Sequence, residues 1–146
     1  MTAIPPGVTL NNPFDLMYDP HINWMGQIRP ASGHGLLGFD SALHGLRAGM
    51  KDAHTKVYVH KFNTLEKFFY EFAPPNQNDT EQYIDHMSEW LPLGRKDLIE
   101  LDTVAKLVNW GKCCNRQEVG FRDEATHTPW YTDDLYQYAA RLALEV

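Results

Sequence analysis

Two carboxylates near the middle of the chain have surroundings in which acid–base chemistry could occur. Glu71 follows Phe68 and Phe69 on an apolar helix face, and a half-buried glutamate there would have a raised pKa suited to a general acid. The common alternative is a solvated glutamate with no catalytic role. Asp79 stands at a predicted helix start, where the helix dipole and free N–H groups stabilise its charged form. That position suits an N-cap or an electrostatic stabiliser better than a general acid.

Other residue types that bind metals or act as nucleophiles lack the spacing such sites need. The chain has no His-x-x-x-His or Gly-x-Ser-x-Gly element, and no phosphate-cradling loop. Its seven histidines are scattered, at His21, His34, His44, His54, His60, His86 and His127. Cys113 and Cys114 are adjacent, so we expect two reduced thiols at a helix end and neither a disulfide nor a zinc site. The sequence therefore predicts no metal and no cofactor.

Hydrophobic spacing predicts a mainly α fold, a compact bundle of about five helices after an irregular N-terminal third. Residues 1–40 are rich in Pro, Gly and Asn, with an exposed turn expected at 32–35. Helical periodicity begins near position 41 and recurs to the C-terminus. The predicted helix starts are Asp40 or Ser41, Asn63-Thr64, Asn78 or Asp79, Asp102 and Thr132.

The predicted helix ends divide the single domain, residues 1–146, into three parts. Pro74-Pro75 and Pro92 end the second and third helices, and Gly111 is expected to terminate the fourth. Residues 115–131 are then irregular. The parts are a loop-rich stretch (1–40), a helical core (41–112), and an irregular segment followed by a C-terminal helix (113–146).

Charge and hydropathy exclude two classes of partner. The net charge is −6 and no Lys/Arg run forms a footprint for phosphate backbones, so we expect no nucleic-acid binding. No apolar stretch approaches the ~20 residues that a membrane helix needs, so we expect no membrane span. The first nine residues lack the basic start and apolar run of a secretory signal, which predicts synthesis and retention in the cytoplasm unless other machinery exports the protein.

An ordered series of short motifs runs through about two-thirds of the chain, from Leu10 to Lys112. The motifs are Asn11-Asn12-Pro13, Asn23-Trp24-x-Gly26-Gln27, Gly38-Phe39-Asp40-Ser41, Gly45-Leu46-Arg47-Ala48, Thr64, Phe72-Ala73-Pro74-Pro75, Asn78-Asp79-Thr80 and Tyr83. In this order the series resembles phage and prophage structural proteins related to virion-associated lytic transglycosylases. The resemblance implies a helical, lysozyme-like domain carried in a virion, made in the host bacterial cytoplasm and acting on or near the cell wall.

The resemblance also implies roles for particular side chains. Side-chain amides could bind sugar amides and hydroxyls, and aromatic rings could stack on a sugar; turn stabilisation and core packing are the respective alternatives. The substrate-binding candidates are Asn11, Asn12, Trp24, Asn78 and Tyr83. Cleaving a glycosidic bond needs an acid to protonate the leaving oxygen, and Glu71 and Asp79 are the carboxylates near the family motif that we take as candidates.

The chain departs from the family pattern where chemistry is expected. Phe14, Asp15, Leu16 and Met17 replace a Gly-Asn-Ile-Arg run, Gln77 stands at an acidic position, and Asn109-Trp110-Gly111 replaces Glu-Asn-Gly. An amide cannot donate the required proton, which favours a virion structural protein on a degenerate peptidoglycan-hydrolase-like domain, docked to other particle proteins. The alternative is an active virion-associated peptidoglycan glycosidase or lytic transglycosylase that helps the genome cross the wall.

The aromatic segment from Gly120 to Tyr131 lies outside the resemblance. It contains Phe121, Trp130 and Tyr131. Such a segment could be a docking surface for neighbouring subunits or a loop packed over the core. The sequence leaves both interpretations open.

Overall fold

The protein is mainly helical in a computed structural model that describes residues 3–30 and 35–146, which confirms the predicted fold class. Its helices are α1 (Pro6–Thr9), α2 (Ala42–Tyr58), α3 (Leu65–Phe72), α4 (Thr80–Trp90), α5 (Val104–Val119) and α6 (Asp133–Leu144). The strands β1 (Gln27–Pro30) and β2 (Leu37–Phe39) pair antiparallel. Most of the turn expected at 32–35 falls outside the described residues. Within the described ranges, no helix is long and apolar enough to cross a membrane.

Side-chain caps fix the starts of the five longer helices. The caps of α2, α3, α4 and α6 are the predicted ones, Ser41, Thr64, Asp79 and Thr132, and each accepts a hydrogen bond from a backbone N–H three residues on. The prediction of Asp102 for α5 is wrong by one residue, since Thr103 accepts from Lys106 N. Asp102 pairs instead with the Lys106 ammonium at 3.0 Å. Each such cap typically contributes about 1 kcal/mol.

Aromatic stacking joins α3, α4 and α5 into the centre of the core. Phe69 stacks on Tyr83 at 4.2 Å between ring centroids and on Trp110 at 5.7 Å. Phe68 meets Trp110 edge-on at 4.8 Å. Helix α2 packs along α6, and α6 packs in turn on α5. The packing of α2 on α6 and of α6 on α5 forms another part of the helical core.

The N-terminal third is irregular, as expected, but one buried amide orders it. Asn12 Nδ2 donates to the carbonyls of Leu16 and Leu37, each at 3.0 Å, and Asn12 Oδ1 accepts from Leu16 N. The segment is held flat against α2 because Gly45 and Gly49 carry no Cβ: one would collide with the Asn11 carbonyl and the other with the Phe14 ring. These contacts fix where the following residue, Asp15, can lie.

Helix α5 is longer than the sequence suggested, which corrects three predictions. Gly111 does not end the helix; it is buried inside it, and a Cβ there would lie 2.8 Å from Met50 Cε. Residues 115–119, expected to be irregular, are helical, and the helix ends at Gly120 with a φ of 68°. Cys113 and Cys114 are free and buried in the helix interior, not at its end. The extra turns carry Glu118 into the cleft described below.

Candidate active-site cleft

A cleft of about 640 Å³ lies between the N-terminal segment and the ends of three helices. Its walls come from the segment around Phe14 to Trp24, the second half of α2, the end of α3 with the loop after it, and the last turn of α5. Five carboxylates line it: Asp15, Asp19, Asp52, Glu71 and Glu118. A concave, partly aromatic surface with convergent carboxylates is the usual form of a polar-substrate site.

Three of the seven candidate site residues line this cleft, together with Gln77. Trp24 is partly exposed on one wall, with its backbone N–H donating to Gln27 Oε1 at 3.1 Å. Glu71, Gln77 and Asn78 stand on the opposite side. Glu71 is exposed rather than half-buried, and its carboxylate lies 3.6 Å from the Lys56 ammonium. Asn78 is also exposed and donates to the Pro74 carbonyl at 3.3 Å.

The other candidates lie away from the cleft lining. Asp79 caps α4, where its carboxylate accepts from Gln82 N at 3.0 Å. Asn12 is fully buried and committed to the hydrogen bonds that order the N-terminal segment. Asn11 donates to the Phe39 carbonyl at 3.2 Å. Tyr83 is buried against Phe69. The structure thus gives these four side chains roles in turns, caps or the core.

Two carboxyl groups that sequence reasoning did not select meet at the base of the cleft. Asp15 comes from the N-terminal segment and Glu118 from the last turn of α5, and the two carboxyl groups lie close enough to shift each other's pKa. Asp15 has a φ of 51°, a left-handed conformation that non-glycine residues seldom adopt. Gly7 makes the approach possible, because a Cβ there would lie 2.5 Å from Asp15 Oδ1.

Of these two carboxyl groups, Glu118 is the one that burial keeps protonated at neutral pH. Loss of hydration, reinforced by the negative charge of Asp15, raises the pKa of Glu118 to about 8. Burial also raises the pKa of Asp15, while the neighbouring Glu118 carboxyl opposes that rise. At neutral pH the pair therefore holds a proton that a solvated carboxyl would have lost. Raised carboxyl pKa values of this kind recur in sites that use a general acid.

Two further polar groups lie beneath the pair. Burial, together with the charges of Cys114 and Glu118, raises the pKa of Tyr83 well above its ordinary value. Within the described part of the chain, Tyr83 Oη has no hydrogen-bond partner of good geometry. Burial also raises the pKa of the Cys114 thiol, with the charge of Glu118 as the next cause. Burial raises the pKa of Glu118 more than the Tyr83 hydroxyl lowers it.

The opposite wall of the cleft is an ion-pair network. The Lys56 ammonium lies 2.9 Å from Asp52 and 3.6 Å from Glu71, so one cation bridges carboxylates on α2 and α3. Asp52 and Lys56 are mostly buried, whereas Glu71 is open to the cleft. The site thus combines a protonated acid at its base with carboxylates on its rim. Among residues 3–30 and 35–146, no group of three or more His, Cys, Asp or Glu is arranged to hold a metal.

The fold and the cleft define a small helical protein with an acid–carboxylate site, and sequence comparison adds a phage relative. The chain is 24% identical over 105 residues to Protein P5 of Pseudoalteromonas phage PM2, and the alignment covers 70% of this chain and 66% of that protein. The chain therefore spans just under two thirds of the length of this relative. No protein family model matches it.

Proposed function

We propose that the protein is a component of a phage particle and that its cleft cleaves a glycosidic bond in the peptidoglycan of the host wall. The similarity to Protein P5 of phage PM2 supports the phage part of this proposal. The chemical part is carried by one observation, the position of Glu118 beside Asp15 in a cleft lined by further carboxylates, where burial raises the pKa of Glu118. Other particle proteins and the wall polymer would then be its partners, and the virion its location.

Glu118 is the group that can protonate the leaving oxygen. Glycosidic cleavage requires a carboxylic acid that stays protonated at the working pH, and burial gives Glu118 that property. Asp15 lies beside it, and its negative charge raises the pKa of Glu118 further. A substrate oxygen that enters the cleft accepts the Glu118 proton. Gln77, which cannot donate such a proton, then needs no catalytic role.

The other residues that line the cleft suit the sugar ring whose glycosidic bond is cleaved. Bond cleavage builds positive charge on the sugar ring, and carboxylates nearby stabilise that charge. Glu71 and Asp52 supply negative charge on one wall. Trp24 offers a partly exposed aromatic surface on which a sugar ring can stack, and Asn78 offers an amide for hydroxyl or acetamido groups.

The test is hydrolysis of purified peptidoglycan by the folded protein, followed by turbidity and by the release of new reducing ends. Glu118→Gln keeps the shape of the side chain and removes the transferable proton, so we expect a loss of roughly 100-fold or more. The matched control is Glu89→Gln, since Glu89 is exposed on α4 away from the cleft. Retention of full activity by Glu118→Gln would show that Glu118 is not the acid.

A second candidate function is a virion structural protein built on a degenerate hydrolase-like domain. The observation in its favour is the pairing of Glu71 with Lys56, together with Gln77 in the cleft at the position where the resembling proteins carry an acid. Under this alternative, folded wild-type protein leaves peptidoglycan intact across pH 5–8. It still binds other particle proteins, which pull-down from disassembled virions would detect.

A further inference from the structure

A second pocket, of about 390 Å³, lies on the other side of the last turns of α5. Its walls are aromatic: Trp90 closes one side, Phe121 and Trp130 come from the segment after α5, and Tyr136 belongs to α6. The Trp130 indole N–H donates to the Val119 carbonyl at 3.2 Å, which ties the segment to the end of α5. This aromatic pocket is separate from the proposed catalytic groups, since neither Asp15 nor Glu118 lines it.

An unpaired amide faces this pocket. Asn115 lines it and is only 3% exposed. Among the described residues, neither its Nδ2 nor its Oδ1 has a hydrogen-bond partner. An unpaired buried donor and acceptor are costly, so an amide in this state indicates a missing partner. The N–H and C=O of one extended peptide residue point the same way and can satisfy both atoms.

The same pocket carries positive charge. The Arg116 guanidinium lies 4.1 Å from the Trp90 ring centroid and 5.0 Å from that of Phe121. A guanidinium stacked on aromatic faces keeps its N–H groups directed along its own plane, where they suit a carboxylate. Lys112 also lines the pocket, 5.7 Å from the Tyr136 ring centroid, and pairs with Asp133. The net preference of the pocket is therefore for an anion.

We propose that the aromatic pocket binds the C-terminal end of a peptide with an apolar last side chain. The terminal carboxylate pairs with Arg116, the N–H and C=O of the residue before the last pair with the side chain of Asn115, and the apolar side chain packs against Val119 and Trp130. The partner is therefore a protein or peptide of the particle or its host. This proposal does not depend on the proposed hydrolase activity.

The aromatic walls favour this occupant over a carbohydrate. A sugar ring presents hydroxyl groups around its whole edge, and each would lose water against these walls without gaining a partner. A C-terminal residue with an apolar side chain presents its few polar groups on one side. That arrangement matches a pocket in which the consecutive α5 residues Asn115 and Arg116 supply the polar contacts and aromatic rings form the walls.

The experiment is a titration of the whole protein with acetyl-Ala-Leu, followed through the indole N–H signals of Trp90 and Trp130 by NMR. We expect these two signals to shift, while those of Trp24 and Trp110 stay in place. The same peptide with a C-terminal carboxamide tests the Arg116 contact, and it should bind about tenfold more weakly. N-acetylglucosamine is the carbohydrate probe. Arg122→Gln, which changes an exposed arginine on the neighbouring loop, is the control variant.

Two variants separate the contacts. Arg116→Gln should weaken the free peptide about tenfold and leave the carboxamide unchanged, so that the two peptides bind alike. Asn115→Leu should weaken both peptides equally, and a thermal melt shows whether it folds; Arg116→Gln decides the question if it does not. The proposal is overturned if neither signal shifts at millimolar peptide, if the carboxamide binds as tightly as the free acid, or if N-acetylglucosamine binds and the peptides do not.

Discussion

The buried Glu118 carboxyl makes a quantitative prediction about stability, independent of any substrate. Its pKa is about 8 in the folded protein and near the ordinary value of 4.5 in the unfolded chain. Between these pH values the unfolded chain has lost the proton that the folded protein keeps. Stability therefore falls as pH rises through this window, by up to about 1.4 kcal/mol per pH unit. At pH 7 the accumulated loss is about 3 kcal/mol.

Glu118→Gln removes this loss. The glutamine amide keeps the shape of the side chain but cannot ionise, so the variant resembles the protonated wild type at every pH. We expect it to be about 3 kcal/mol more stable than wild type at pH 7, and about equally stable near pH 4.5. For a protein of this size, that gain raises Tm by roughly 6–12 °C.

The assay is urea unfolding at pH 5 and pH 7.5, followed by circular dichroism, with Glu89→Gln as the matched control. Wild type and the control should lose stability between the two pH values, whereas Glu118→Gln should lose much less. Equal stabilities of Glu118→Gln and wild type at pH 7.5, with parallel pH dependence, would refute the argument that Glu118 is buried and protonated. An unfolded state that retains the same pKa would give that result too, and native-state NMR titration of Glu118 separates the two cases.

Three further predictions follow from particular contacts. Hydrolysis of peptidoglycan should decline above about pH 8 as Glu118 loses its proton; a rate that keeps rising would point to another acid. Asn12→Ala should lower the unfolding free energy by about 3 kcal/mol, because the backbone groups of Leu16 and Leu37 lose buried partners; a loss under ~1 kcal/mol would mean that water replaces the amide. Gly49→Ala should cost about 2 kcal/mol despite its better helix propensity, since its Cβ meets the Phe14 ring; denaturant melts check both variants, and an unchanged midpoint for Gly49→Ala would contradict the packing described.

Helix starts could be predicted from the sequence because a cap is a local interaction. Thr64 and Thr132 need only a backbone N–H three residues further on, and that geometry is the same in any fold. The end of α5 could not be predicted in this way. Gly111 resembles a terminator locally, but it lies inside α5, packed against the Met50 side chain of α2. Its role depends on packing that no short window of sequence contains.

The sequence predicts the region of the candidate site but not which side chains line it. Glu71, Asn78 and Trp24 do line one cleft, yet Tyr83, a few residues further along, faces the core because it lies on the buried side of α4. The sequence allows Asp79 to be either an N-cap or an electrostatic stabiliser. In the structure its side chain caps the start of α4. Spacing within a motif therefore located the region of the cleft without telling which side chains enter it.

The two carboxyl groups come from distant parts of the chain, and the local sequence around each does not indicate a catalytic acid. Asp15 follows a turn-forming Asn-Asn-Pro segment. Glu118 lies in a stretch that the sequence predicts to be irregular if Gly111 ends the helix. What brings them together is the buried amide of Asn12, which fixes the segment before Asp15, and the unbroken α5, which delivers Glu118. Substitutions that loosen either support without touching a carboxyl should then lower the pKa of Glu118 toward that of a solvated glutamate, because water would reach it. NMR titration of Glu118 in Asn12→Ala checks this; a pKa that stays near 8 would show that α5 and its neighbours alone shield the acid.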